Sequence, residues 1–229
     1  MPTASSIAHR MSIPDWEDRT MHDKPRVDWR LVLAVWCVSW WVAASAGAYP
    51  EGPPDGVAGD PPAHFTCTLC HDLYPLSSGN GSLELLGLPV LYTSGAQYDL
   101  TVRLADPGQV EWGFEITAQD EMGHSAGTFM VTDPLRTQLS DNPGTSPDYL
   151  KHTRDGTYEG TADGPVSWTF RWTAPASGSV TFYLAGNAAD GTGDPWYDYI
   201  YALERTVEQP TVGVASRTWS EVKELYRHR

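Results

Sequence analysis

From Ser82 to Leu203 apolar residues recur at every second position in short runs, and turn residues end each run. That pattern restricts the chain to antiparallel β-structure, because side chains alternate between the two faces of a strand. Gln97 to Leu104 puts Tyr98, Leu100, Val102 and Leu104 on one face, and Asp106-Pro107-Gly108 follows as the turn. Glu111 to Ala118 turns Trp112, Phe114 and Ile116 inward, Val166 to Thr173 does the same with Trp168, Phe170 and Trp172, and Ser179 to Ala185 with Val180, Phe182 and Leu184. Ser82 to Leu86, Thr128 to Thr132 and Trp196 to Leu203 complete a set of about seven strands with no central helix. This predicts an all-β, antiparallel immunoglobulin-like β-sandwich. The three tryptophans are expected in its core. Thr137 to Thr161, rich in Asp, Asn, Pro and Gly, reads as one long functional or disordered loop. The tail is the helical exception: Thr218 to Arg229 sets Trp219, Val222, Leu225 and Tyr226 on one stripe of a short amphipathic helix.

The first 48 residues differ from the rest. A polar, mixed-charge start carries Arg10, Arg19, Lys24, Arg26 and Arg30, then Leu31 to Ala44 is apolar and Ser45-Ala46-Gly47-Ala48 is small. This reads as a secretory signal peptide cleaved after Ala48, with an uncleaved membrane anchor as the rival. The ten charged residues removed are balanced, so the remainder keeps the whole net charge of −14. Such a surface repels nucleic acid and anionic membranes. No later segment is apolar enough to span a bilayer, and the expected location is extracytoplasmic: periplasmic, cell-surface or secreted.

Cys37 leaves with the signal peptide, so the mature chain keeps two cysteines, Cys67 and Cys70, in Cys67-Thr68-Leu69-Cys70-His71. They follow Tyr49 to Phe65, an irregular lead-in with five prolines and three glycines. C-x-x-C-H is the attachment signature of c-type haem: two thiols bond the two vinyl groups and the next histidine binds the iron. A redox dithiol would want a thioredoxin-like βαβ setting. Zinc would need four ligands, with His64 and a distant histidine completing the pair. Neither has its context here, and one covalent haem c on Cys67, Cys70 and His71 is the favoured reading.

With His71 alone the iron would be five-coordinate; electron carriers fill the sixth position with His or Met, whereas an open one admits gas or peroxide. His64, Met122, His124, Met130, His152 and His228 are the candidates. His64 lies too near the motif, His228 too near the terminus, and Met130 reads as core. His152 lies in the long loop. Asn187, Asp190 and Asp194 offer oxygen atoms to Ca²⁺, but their spacing departs from an EF-hand and reads more simply as a glycine-rich hairpin.

In order along the chain come Gly52-Pro53-Pro54, the haem motif, Gly79 to Leu83, Gly87-Leu88-Pro89, Tyr98 to Val102, Trp112 to Ala118, Ala126 to Phe129, His152-Thr153, Trp168 to Pro175 and Val180 to Ala189. This succession resembles the choice-of-anchor V domain family of secreted haem-motif proteins, similar to reeler-type β-sandwiches. The resemblance implies a reeler-like sandwich and, since His152 is a recurrent feature of the family, His152 as the distal iron ligand. The expected organisation is a signal peptide (1–48), a haem-attachment segment (49–81), a β-sandwich (82–209) and a tail (210–229). The expected function is an exported mono-haem c-type cytochrome that transfers electrons to an unspecified redox partner, an electron carrier rather than a catalyst, with cell-surface association open. The alternatives are an extracellular binding module with structural haem or a local disulfide, and an open-site haem sensor or peroxidase-like enzyme.

Overall fold

The computed structural model describes residues 49–140 and 147–210 and, in the tail, only Trp219, Lys223 and Arg227. The expected signal peptide and nearly all of the tail helix, with His228, lie outside the described residues. Nine strands appear among the described ones: β1 (Ser82–Leu86), β2 (Gln97–Ala105), β3 (Glu111–Gln119), β4 (Thr128–Val131), β5 (Thr137–Ser140), β6 (Tyr149–His152), β7 (Val166–Thr173), β8 (Ser179–Ala189) and β9 (Tyr199–Glu208). They form two sheets, ordered β1-β2-β7-β4 and β5-β6-β3-β8-β9, with every neighbouring pair antiparallel. The chain is an antiparallel β-sandwich.

The alternating residues face one another between the sheets. Leu100, Phe114, Ile116, Leu150, Phe170, Trp172 and Phe182 are all essentially inaccessible to water. Aromatic rings dominate: Phe114 lies 4.6 Å from Trp168, and Phe182 meets Trp172 edge-on at 4.9 Å. Each of the three expected core tryptophans also finds a carbonyl for its indole N–H. Trp112 donates to Thr161, Trp168 to Gly156 and Trp172 to Ala126, at 2.8–3.0 Å. The rings thus fill the core and pin the loops that leave it.

Three expectations need correction. Thr137 to Thr161 is not one loop: it holds β5 and β6, paired from Thr137↔His152 to Ser140↔Tyr149, and β6 pairs in turn with β3. Four-residue strands are too short to display a period, and here β3 sets their register. Met130 is exposed, not core, because the inward positions of β4 belong to Phe129 and Val131. The last strand begins at Tyr199 and not Trp196, since Tyr197 takes a left-handed conformation at φ 66° that no strand accommodates.

The lead-in is irregular, as composition predicts, yet it is docked. It lies on β3 and β6, on the face turned away from the sandwich core. Val57 donates its N–H to Glu115 at 2.7 Å, and the Asp60 carboxylate accepts from Gln119 and from the Tyr149 hydroxyl at 2.7 and 2.8 Å. Lys151 bonds the Pro53 carbonyl and pairs with Asp55 at 2.6 Å. These contacts carry Cys67 to His71 to one end of the sheet, beside β8 and the start of β9.

Candidate functional site

Thr66 starts a single 3-10 turn at Cys67–Leu69, its hydroxyl accepting from the Thr68 N–H. In such a turn residues i and i+3 eclipse, which brings Cys67 and Cys70 to one side. The Cys67 carbonyl then accepts from the N–H groups of Cys70 and His71 at 3.2 and 3.0 Å. The histidine is thereby swung out of the turn and over the sheet.

There it meets β8 and the start of β9. His71 Nδ1 lies 2.6 Å from a carboxylate oxygen of Asp198, and the Asn187 amide nitrogen stands 3.5 Å from each ring nitrogen. With Nδ1 protonated toward Asp198, Nε2 is left as the free lone pair, the state a metal-ligating imidazole needs.

Cys67, Cys70, His71 and His152 all line one cavity of about 740 Å³, counting its open mouth. Pro53 and Pro54 from the lead-in and Leu69 from the turn supply apolar wall, β3 passes behind it from Glu111 to Phe114, and Asn187, Asp194 and Asp198 supply polar lining. His152 therefore sits at the end of β6, not on a loop as expected, and the sheet presents it to the cavity.

Its imidazole is 7% exposed, and burial pushes it down to about 4, so it is neutral across the physiological range. The Phe114 N–H donates to Nδ1 at 3.0 Å, and the Phe114 carbonyl stands 3.2 Å from the same atom. The backbone of one residue can thus serve either tautomer, and only a protonated Nδ1 leaves Nε2 bare. The Tyr49 backbone also bonds this ring. Beneath it lies Gly113, where a methyl group would come 2.7 Å from Cε1 and 3.2–3.3 Å from both ring nitrogens. A glycine inside a strand marks a close approach; here the imidazole fills the space.

Haem suits these donors: two sulfurs on one side of a turn and two imidazoles on the same cavity. Burial, and then the Glu115 carboxyl, push the Cys67 thiol up to about 12. A redox dithiol requires the opposite shift, whereas a sulfur in a thioether has no proton to lose. Among the described residues no three or more His, Cys, Asp and Glu side chains gather as a zinc site would require, and His64 instead bonds the Gly59 carbonyl.

The other sixth-ligand candidates stand elsewhere. Met122 and His124 are exposed on the turn after β3, with His124 beside Asp120, and neither they nor Met130 and His64 line the cavity. Of the oxygens proposed for calcium, those of Asp190 and Asp194 accept hydrogen bonds from their own loop, while the Asn187 carbonyl oxygen is buried without a partner. Asp190 accepts from the N–H and hydroxyl of Thr192, and Asp194 accepts from the Trp196 N–H.

No family model matches the chain, and no curated protein matches it. Solved structures do. The reeler domain of human F-spondin is 22% identical with a TM-score of 0.40, over 59% of this chain and 93% of that domain. A second structure, the Reelin-N domain of F-spondin, is 22% identical at a TM-score of 0.40, over 62% and 96%. A type I cohesin–dockerin complex from Clostridium thermocellum follows at 12% identity and a TM-score of 0.36, over 60% of this chain and 100% of that one. The two-sheet architecture stands on this chain's own strand pairing. Among the described residues no helix is long and apolar enough to cross a membrane.

Asp198, Asn187 as a neighbour of His71, Gly113 and Glu115 escaped the sequence reading of the haem site. Gly113 alone left a signal, a glycine interrupting an otherwise bulky alternating strand. Asp198 left none, since only the β8–β9 pairing carries it to His71.

Proposed function

We propose that this chain is an extracytoplasmic mono-haem c-type cytochrome of the choice-of-anchor V family that transfers electrons. The observation that carries the reading is the single cavity shared by Cys67, Cys70, His71 and His152. The haem, when bound, supplies one-electron exchange at its iron. Cys67 and Cys70 would tether it, and His71, through Nε2, and His152 would be the residues that hold the iron. For that, His152 must keep its proton on Nδ1, donated to the Phe114 carbonyl, and release the Tyr49 backbone. Pro53, Pro54 and Leu69, which line the cavity, would exclude water from the ring edge, which tunes the potential. The acidic rim suits a basic redox partner.

A second reading has one specific observation in its favour. Backbone groups on two sides already hold the His152 ring. Were it to stay so held, the iron would be five-coordinate and the protein a gas sensor or peroxidase-like enzyme. One experiment separates these. The mature protein, made with haem-maturation machinery, should carry the added mass of one haem and a sharp low-spin spectrum. His152→Ala should turn that spectrum high-spin. A wild-type spectrum that is already high-spin and responds to CO selects the open site. A mature chain without haem mass leaves an extracellular binding module.

A further inference from the structure

We propose that Asp198 is the positioning residue of the proximal ligand: its carboxylate takes the Nδ1–H of His71, aims Nε2 into the cavity, and biases the bound iron toward the ferric state. This rests on the haem reading above and adds a residue to it that no motif contains.

The geometry is that of a built pair. Nδ1 and Oδ2 are 2.6 Å apart, the Asp198 side chain is 1% exposed and that of His71 11%. The other carboxylate oxygen accepts only a long 3.3 Å bond from the Asp190 N–H. Among the described residues no Lys or Arg pairs with Asp198. A carboxylate taken out of water needs an opposite charge close by, or it is strongly destabilising. The imidazole is the group it touches, so the positive charge that can satisfy it is one that arrives on His71.

A ligating histidine that gives its second N–H to a carboxylate becomes a more basic donor, and its ring is locked in orientation. A stronger donor and a nearby negative charge both favour the higher oxidation state. Asn187 completes the arrangement: its amide nitrogen flanks the ring, and its carbonyl oxygen is buried without a partner. The position stands one atom type away from a second carboxylate and was left neutral.

The test uses the mature, haem-loaded protein and reads its midpoint potential, with mass and thermal melting recorded alongside. Asp198→Asn keeps the shape and removes the charge. It should retain the covalent haem mass and lose roughly tenfold of the ferric preference, an upward shift of about 59 mV for a one-electron couple. Asp198→Glu, which keeps the charge, should stay nearer the wild-type value, and an equal rise in both variants overturns the proposal. So does an Asp198→Asn protein that melts earlier with an unmoved potential, since that is a purely structural role. Should Asp198→Asn fail to fold, Asn187→Asp reads the same field with the opposite sign; its potential should fall, and an unchanged value overturns the proposal. Wild-type protein without haem mass removes the haem reading and this inference together, whereas haem present with potentials unmoved removes this inference alone.

Discussion

Strand β3 has two faces, equally dry and differently made. Toward the sandwich it presents Trp112, Phe114, Ile116 and Ala118 to a core of rings and branched chains. Toward the lead-in it presents Gly113, Glu115, Thr117 and Gln119, with Glu115 and Thr117 at 0% exposure and Gln119 at 1%. The first face is held by non-directional burial and tolerates any apolar group of suitable volume. The second is held by directed hydrogen bonds: Val57 on Glu115, Asp148 on Thr117, Asp60 on Gln119. Buried polar groups specify one docking geometry, and they expose the protein to pH and to small displacements. That is how a proline-rich segment without secondary structure of its own holds a cofactor motif in one place.

The largest break in this comparison should come from the apolar face. Ile116→Ala removes a fully buried side chain and should cost about 2–5 kcal/mol in denaturant titrations. If haem incorporation survives in the folded fraction, the two faces act separately; if haem is lost in proportion to stability, they do not.

Next comes Glu115. Burial raises its carboxyl to about 8, from 4.5 for the free side chain. Between those values the folded chain holds a proton that the unfolded chain has released, so stability falls as pH rises from about 4.5 to 8. Glu115→Gln should flatten that slope and be more stable than wild type at pH 8, by a margin on the order of 2 kcal/mol, with little difference near pH 4.5. Parallel melting at the two pH values checks this, and a wild-type protein whose stability does not fall over the window contradicts it.

The smallest effect on folding should be the sharpest on the site. Gly113→Ala drives a methyl group into the His152 ring and should cost about 1–2 kcal/mol as overpacking. The displaced imidazole should turn a low-spin spectrum high-spin, as His152→Ala does. If the spectrum is unchanged, Gly113 has only a packing role.

Much of the sandwich could be read from Tyr98 to Leu104, Glu111 to Ala118 and Val166 to Thr173, because a strand's period of two is a local property of the chain. β5 and β6 could not, since Tyr149 to His152 becomes a strand by lying beside β3 and Thr137 to Ser140 by lying beside β6. The C-x-x-C-H spacing was plain in five consecutive residues. The resemblance singled out His152, but nothing local marked Asp198, Asn187 or Glu115, whose chemistry depends on partners far along the chain.

The sequence by itself therefore determined the antiparallel alternation, the aromatic core and the C-x-x-C-H attachment motif, all set by spacing within a few residues. Only the tertiary structure decided that the outer face of β3 is buried, that His152 closes on the same cavity as His71, and that a buried carboxylate stands behind the His71 imidazole. Those features depend on which distant segments meet. Burial and electrostatics act through space, and no local period records them.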